Sequence, residues 1–221
     1  MAKNVKAPLL ACLGCAGALI ALVIAAYKLG PVEHLDATLL AKISSPAGTG
    51  AHRLADGFAH LADPLPLIAM LTAIVVLALA AGRRREALAV VAVVAGANLT
   101  TQVLKVLLAH PRYEPFLGSH QPWSTAFPSG HATAAASIAV ALILAAPGRL
   151  RYLAAAAGAA FLGLISLAVV VLEWHYPSDV LGGILVAAGW GFAAVAALRL
   201  VARRDRAPEA QASSRFAISM K

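Results

Sequence analysis

The sequence predicts an all-α polytopic membrane protein, a six-transmembrane-helix bundle with its active site at the outer helix ends. Three observations lead there. Hydrophobic residues make up 61% of the 221 residues and charged residues only 13%, against about half and a quarter in a soluble domain. The apolar excess is gathered into long uncharged runs, each close to the ~20 residues that a helix needs to cross a bilayer. The basic residues cluster in short gaps between those runs, which is how membrane topology is written in a sequence.

The six runs are Pro8 to Leu29, Leu65 to Gly82, Ala87 to Leu108, Pro128 to Ala146, Leu153 to Leu172 and Asp179 to Leu200. The first contains Cys12 and Cys15, which read as packing residues because no histidine or second cysteine pair accompanies them. The apolar segment before Cys12 is too short for a signal peptide, so this run is a retained helix. The third carries Asn98, Thr100, Thr101 and Gln102, and polar groups at that depth face other helices rather than lipid. Residues 1–206 thus form one membrane domain. The polar stretch 207–221 lacks periodicity and reads as a disordered cytoplasmic tail.

The gaps set the orientation. Lys3 and Lys6, then Arg83, Arg84 and Arg85, then Arg149 and Arg151, then Arg199, Arg203, Arg204 and Arg206 all fall on one side of an even-numbered bundle. The positive-inside rule makes that side cytoplasmic, with both termini. This accounts for the net charge of +8 without a nucleic acid partner; the partner is the lipid bilayer. All seven histidines lie in or beside the opposite gaps, about 30–64, 109–127 and 173–178. The first of these gaps holds two amphipathic segments, with Leu35, Leu39, Leu40 and Ile43 in one and Leu54, Phe58 and Leu61 in the other. They read as interfacial helices lying on the bilayer, with a cover over a substrate entrance as the alternative.

Three constellations carry chemistry, all at outer helix ends. Pro128-Ser129-Gly130-His131 opens the fourth helix. Proline suits a first turn, and unpaired first-turn N–H groups at a positive dipole end bind anions. Gly130 allows close backbone approach. His175 and Asp179 stand four apart at the start of the sixth helix, where a carboxylate can orient an imidazole as nucleophile or base. Lys105 and Arg112, seven apart at the end of the third helix, offer a point charge and a fork for phosphate. Two cations, an anion-binding helix start, a histidine and a His–Asp pair together make a set suited to phosphoryl chemistry.

On these residues the chain resembles the type-2 phosphatidic acid phosphatase family, whose blocks read KxxxxxxRP, PSGH and SRxxxxxHxxxD. Lys105 and Arg112 match the first, Pro128 to His131 match the second in full, and His175 and Asp179 match the third. The resemblance implies a phosphatase acting on a lipid phosphate or diphosphate. His175 would attack phosphorus to form a phosphohistidine, oriented by Asp179. His131 would protonate the leaving oxygen and then help activate water. Lys105, Arg112, Ser129 and Gly130 would hold the phosphoryl oxygens. It implies no cofactor and no metal, and the sequence has no acidic cluster of the kind that holds Mg²⁺.

Two positions depart from the family pattern. Tyr113, not proline, follows Arg112; the proline stands earlier, at Pro111. The family Ser-Arg falls on Ala168-Val169, so one phosphate-binding arginine is missing. Losing such a donor costs about 2.7–4 kcal/mol of transition-state stabilisation, and Arg53 and His110 are the candidate substitutes. Trp174 and Tyr176 suit an interfacial aromatic belt, Glu173 a headgroup or water, and His120 and Trp123 a place near a headgroup. The missing arginine motivates a second hypothesis, a non-catalytic lipid-phosphate binder or translocase, against which the His175–Asp179 pair argues. Transfer of the phosphoryl group to an acceptor other than water is a third. The high Ala, Val and Arg content suits a GC-rich bacterial genome, and hence a bacterial plasma membrane and envelope polyprenyl carriers.

Overall fold

The computed structural model describes residues 4–112, 114, 117–118 and 121–219, with side chains as far as Asp205. Tyr113 and His120 lie outside the described residues. The chain is helical, and no strand occurs among the described residues. Its elements are α1 (Lys6–Lys28), α2 (Gly30–Ile43), α3 (Gly50–Ala59) with a 3-10 turn (His60–Ala62), α4 (Pro64–Ala80), α5 (Arg84–Leu107), α6 (Gly130–Ala145), α7 (Leu150–Val171) and α8 (Pro177–Ser219). Each of the six apolar runs has become a helix. The bounds differ from the sequence reading chiefly at α8, which continues past Leu200 and through Pro208 to Ser219.

Length separates the six. Among the described residues α1, α5, α7 and α8 are long and apolar enough to cross a membrane, and the bent pair Gly50–Ala62 and Pro64–Ala80, meeting at 53°, makes a fifth candidate if taken as one span. α6 has 16 residues, a rise of about 24 Å. By length and composition four to five of the six expected spans stand as candidates, and α6 is shorter than its apolar run. The difference arises at Pro128. It does not sit in the first turn, because Ser129 caps the helix, its hydroxyl accepting from the Ala132 N–H at 3.3 Å.

α6 is the axis of the bundle, packed on α4, α5, α7 and α8. Its sequence explains this place. Ala132, Ala134, Ala135, Ala136, Ala139 and Ala141 are all buried, and small side chains let helices approach closely where lipid supplies no hydrophobic drive between them. At one crossing the approach is as tight as backbone allows. A Cβ on Gly183 of α8 would stand 2.6 Å from the Ser129 carbonyl oxygen and 2.8 Å from Thr133 Oγ1.

The two helices of the first long gap are present, and they pack on the bundle. Ala37, Leu40, Ala55 and Ala59 are buried with Ala168, Val169, Leu172 and Tyr176, and Ser45 N–H donates to the Val171 carbonyl at 3.1 Å. α2 and α3 thus cover the C-terminal end of α7. Leu35, Leu54, Phe58 and Leu61 point outward, as an interfacial face requires.

The two ends of the bundle differ in charge. At one, Arg83 donates to the Leu144 and Ala145 carbonyls, Arg85 pairs with Asp205 and Arg199 reaches the Asn4 carbonyl. The end of α5, the start of α6, the α7–α8 turn and α2 to α4 meet at the other.

Candidate active site

The α7–α8 turn places His175. α7 stops at Val171, and Glu173 adopts a left-handed backbone with φ 61°. Its N–H then bonds the Val170 carbonyl at 3.0 Å and the Trp174 N–H bonds the Val169 carbonyl at 3.0 Å. This paired closure satisfies carbonyls that a helix end leaves open. The His175 N–H also reaches the Val169 carbonyl, at 3.3 Å. So the position that holds arginine in the family blocks is here a fully buried valine whose backbone supports the histidine.

α8 begins at once with Pro177, and its first turn carries Asp179. Asp179 is fully buried and accepts from the Tyr176 N–H at 2.9 Å. The same oxygen is 3.5 Å from His175 Nδ1. His175 is 5% exposed, and its Nδ1 has no hydrogen-bond partner. His175 and Asp179 are therefore adjacent, slightly farther apart than a hydrogen bond. The facing carboxylate oxygen already accepts from the Tyr176 N–H, and the other carboxylate oxygen of Asp179 is held by Arg112 Nη2.

Arg112 is the largest departure from expectation. Rather than offering a free fork, its guanidinium lies between two carboxylates, Asp179 and Asp36, the latter at 3.1 Å. It also donates to Ser178 Oγ at 2.8 Å and lies 4.2 Å from the centre of the Tyr176 ring. Asp36, on α2, accepts from the Ser178 N–H at 3.0 Å and from the Ser178 hydroxyl. Burial holds the Asp36 carboxyl above the usual carboxylate range, against the opposing pull of the Ser178 donors and Arg112. Burial likewise pushes the Tyr176 phenol up to about 12, so it stays neutral and donates to Gln121 Oε1 at 3.2 Å.

The remaining predicted residues meet beside this cluster. Lys105, Gly130 and His131 line a cavity of about 370 Å³ between α4, α5 and α6. Asp63, Asn98 and Gln102 add polar groups to its wall, and Pro64, Leu67 and Ile68 add apolar ones. His131 Nε2 lies 3.3 Å from Asp63 Oδ1. The two halves of the site join through the Ser129 N–H, which donates to the Asp179 carbonyl at 2.9 Å, and through the histidine rings, whose centres are 6.3 Å apart. Ser129 is spent on structure, with its hydroxyl and its N–H both engaged. The Gly130 and His131 N–H groups precede any acceptor within α6. A Cβ at Gly130 would meet only Lys105 Cε at 3.7 Å and Gln102 Nε2 at 4.0 Å, so the backbone there is open to a ligand. Neither Arg53 nor His110 lines the cavity; Arg53 is exposed on α3 and His110 packs on Tyr27. Among the described residues no group of acidic, histidine or cysteine side chains is arranged to hold a metal.

Sequence reasoning missed Asp36 and Asp63. The only local signal was the place of Asp63 just before Pro64, at a helix start. Asp36→Asn removes the charge between Ser178 and Arg112 while keeping the shape. Thermal unfolding in detergent should report a loss of about 1–3 kcal/mol, the usual cost of leaving a buried polar group badly paired.

No curated protein matches the chain. A solved structure, that of a transmembrane PAP2-type phosphatidylglycerolphosphate phosphatase from Bacillus subtilis, shares its fold with a TM-score of 0.68, covering 83% of this chain and 93% of that one at 20% identity. Residues 86–203 match the PAP2 superfamily. That stretch contains Lys105, Arg112, Ser129, Gly130, His131, His175 and Asp179, and it spans more than half of the sequence. The chain is an integral membrane member of the PAP2 superfamily.

Proposed function

We propose that the protein is a metal-independent phosphatase that hydrolyses a lipid phosphate or diphosphate through a phosphohistidine on His175. One observation carries the reading: two histidines, each beside its own aspartate, stand with their ring centres 6.3 Å apart. Both imidazoles are therefore close enough to serve one phosphoryl group bound beside them, at the Lys105 and Gly130 wall of the cavity. Asp179 lies on the Nδ1 side of His175, which leaves Nε2 to attack phosphorus. His131 gives the leaving lipid oxygen its proton, and water then takes the phosphoryl group with His131 as base. Lys105 and the open N–H groups of Gly130 and His131 hold the phosphoryl oxygens. Arg112 neutralises the Asp179 side of the cluster. The apolar wall of the cavity receives the lipid chain, and polyprenyl phosphates, phosphatidic acid and phosphatidylglycerol phosphate all suit it.

In this reading α1, α4, α5, α6, α7 and α8 all cross the bilayer, α6 as a short span. The arginine-rich end is cytoplasmic with both termini, and the site opens on the opposite face of a bacterial plasma membrane. A binder or translocase would have no use for two aspartate-paired histidines.

The test is phosphate release by purified protein in detergent from a panel of lipid phosphates, with EDTA present. Release that survives EDTA supports the reading. Binding of the lipids without release would sink it. Asp63→Asn should lower kcat about tenfold with little change in KM, part of the ~10²–10⁴ that a positioned acid supplies. Asp63→Glu should restore most of the loss.

A further inference from the structure

The end of the bundle opposite the histidines holds a second recess, of about 470 Å³, lined by Asn4, Arg85, Glu86, Leu144, Arg151, Val195, Leu198, Arg199 and Ala202. Its rim takes one arginine from each of three helices, α5, α7 and α8. Its floor is apolar. We infer that this recess binds the phosphate headgroup of an anionic phospholipid from the adjacent leaflet, with the first carbons of the acyl chains on Leu144, Val195 and Leu198.

The charge count favours an anion. Glu86 is already engaged by Arg83 at 3.0 Å, and Asp205 by Arg85. Three guanidiniums and one carboxylate line the recess itself. Arg199 spends one nitrogen on the Asn4 carbonyl at 2.6 Å, and Arg151 spends Nε on the Ala146 carbonyl at 3.3 Å; neither bond neutralises charge. A topology signal accounts for arginines in the gaps, because it needs only their number near helix ends. It does not account for three of them converging over one recess. Basic pockets between membrane helices are suited to anionic headgroups, and the volume is that of a small-ligand site. The apolar floor selects a lipid over a soluble anion, and the concave shape selects either over an extended polyanion.

The test is native mass spectrometry of the detergent-solubilised full chain, offered equal amounts of phosphatidylglycerol and phosphatidylcholine. The expected result is retention of phosphatidylglycerol over phosphatidylcholine by about tenfold or more. The double substitution Arg151→Gln and Arg199→Gln should bring the ratio close to one. Val195→Trp, which fills the floor and leaves every charge in place, should also abolish retention. Either variant should elute and hydrolyse substrate as the unmodified chain does, because the histidine site lies at the other end. An unchanged lipid ratio in both variants would overturn the inference. So would displacement of phosphatidylglycerol by millimolar inorganic phosphate, which would mark a soluble-anion site instead.

Discussion

His175→Ala should lower kcat for phosphate release by about 10⁴-fold or more, as loss of a nucleophile does when the remaining groups act with it as a unit. The loss should be kinetic rather than structural. His175 is buried with an Nδ1 that no group hydrogen-bonds, so its removal leaves no new orphan, and the Schellman-type turn that places it is made by backbone. The melting temperature should therefore move little. The substitution also separates the two readings of the site. If His175 attacks phosphorus, brief exposure to ³²P-labelled substrate followed by denaturation at alkaline pH leaves label on the unmodified chain and none on the variant. If it only binds, KM rises, kcat stands and no label is found on either.

Gly183→Ala should have the second-largest effect, although Gly183 touches no substrate. The added Cβ would lie 2.6 Å from the Ser129 carbonyl oxygen and 2.9 Å from the Thr133 N–H nitrogen. Both are backbone atoms of the α6 start, so no side chain can swing aside. α8 must move away from α6, and Asp179 moves with α8 while His131 stays on α6. A displacement of about 1 Å is worth on the order of 10²-fold in rate, and overpacking adds about 1–3 kcal/mol of lost stability. The check is kcat and thermal unfolding measured together. A variant with unchanged kcat would show that the α6–α8 spacing does not set the reaction geometry.

The helices were legible because lipid imposes a simple code: an uncharged run of about 20 residues has few other uses. α6 was the partial exception. Its run begins at Pro128, but Ser129 has the better chemistry for a cap, and that shortens the helix. The core of the site was legible because Ser129 to His131 and His175 to Asp179 are local patterns, each read within one helical turn. Asp36 and Asp63 were not legible, since each meets its partner only through the fold; Asp36 bonds Ser178 across 142 positions. The state of Arg112 was hidden for the same reason. Its spacing from Lys105 says that two cations share an end of α5, but not that two carboxylates have already claimed one of them. Both unexpected aspartates precede residue 86, where the family match begins.

Asp36 and Asp179 make the Arg112 end of the site an internal salt. Arg112 stands between Asp36 and Asp179, all three side chains less than a tenth exposed, and their burial keeps dissolved salt from screening them. On the phosphatase reading proposed above, an arriving phosphate meets a guanidinium that already has resident counter-ions, so α2 sets how much of that charge is left for the substrate.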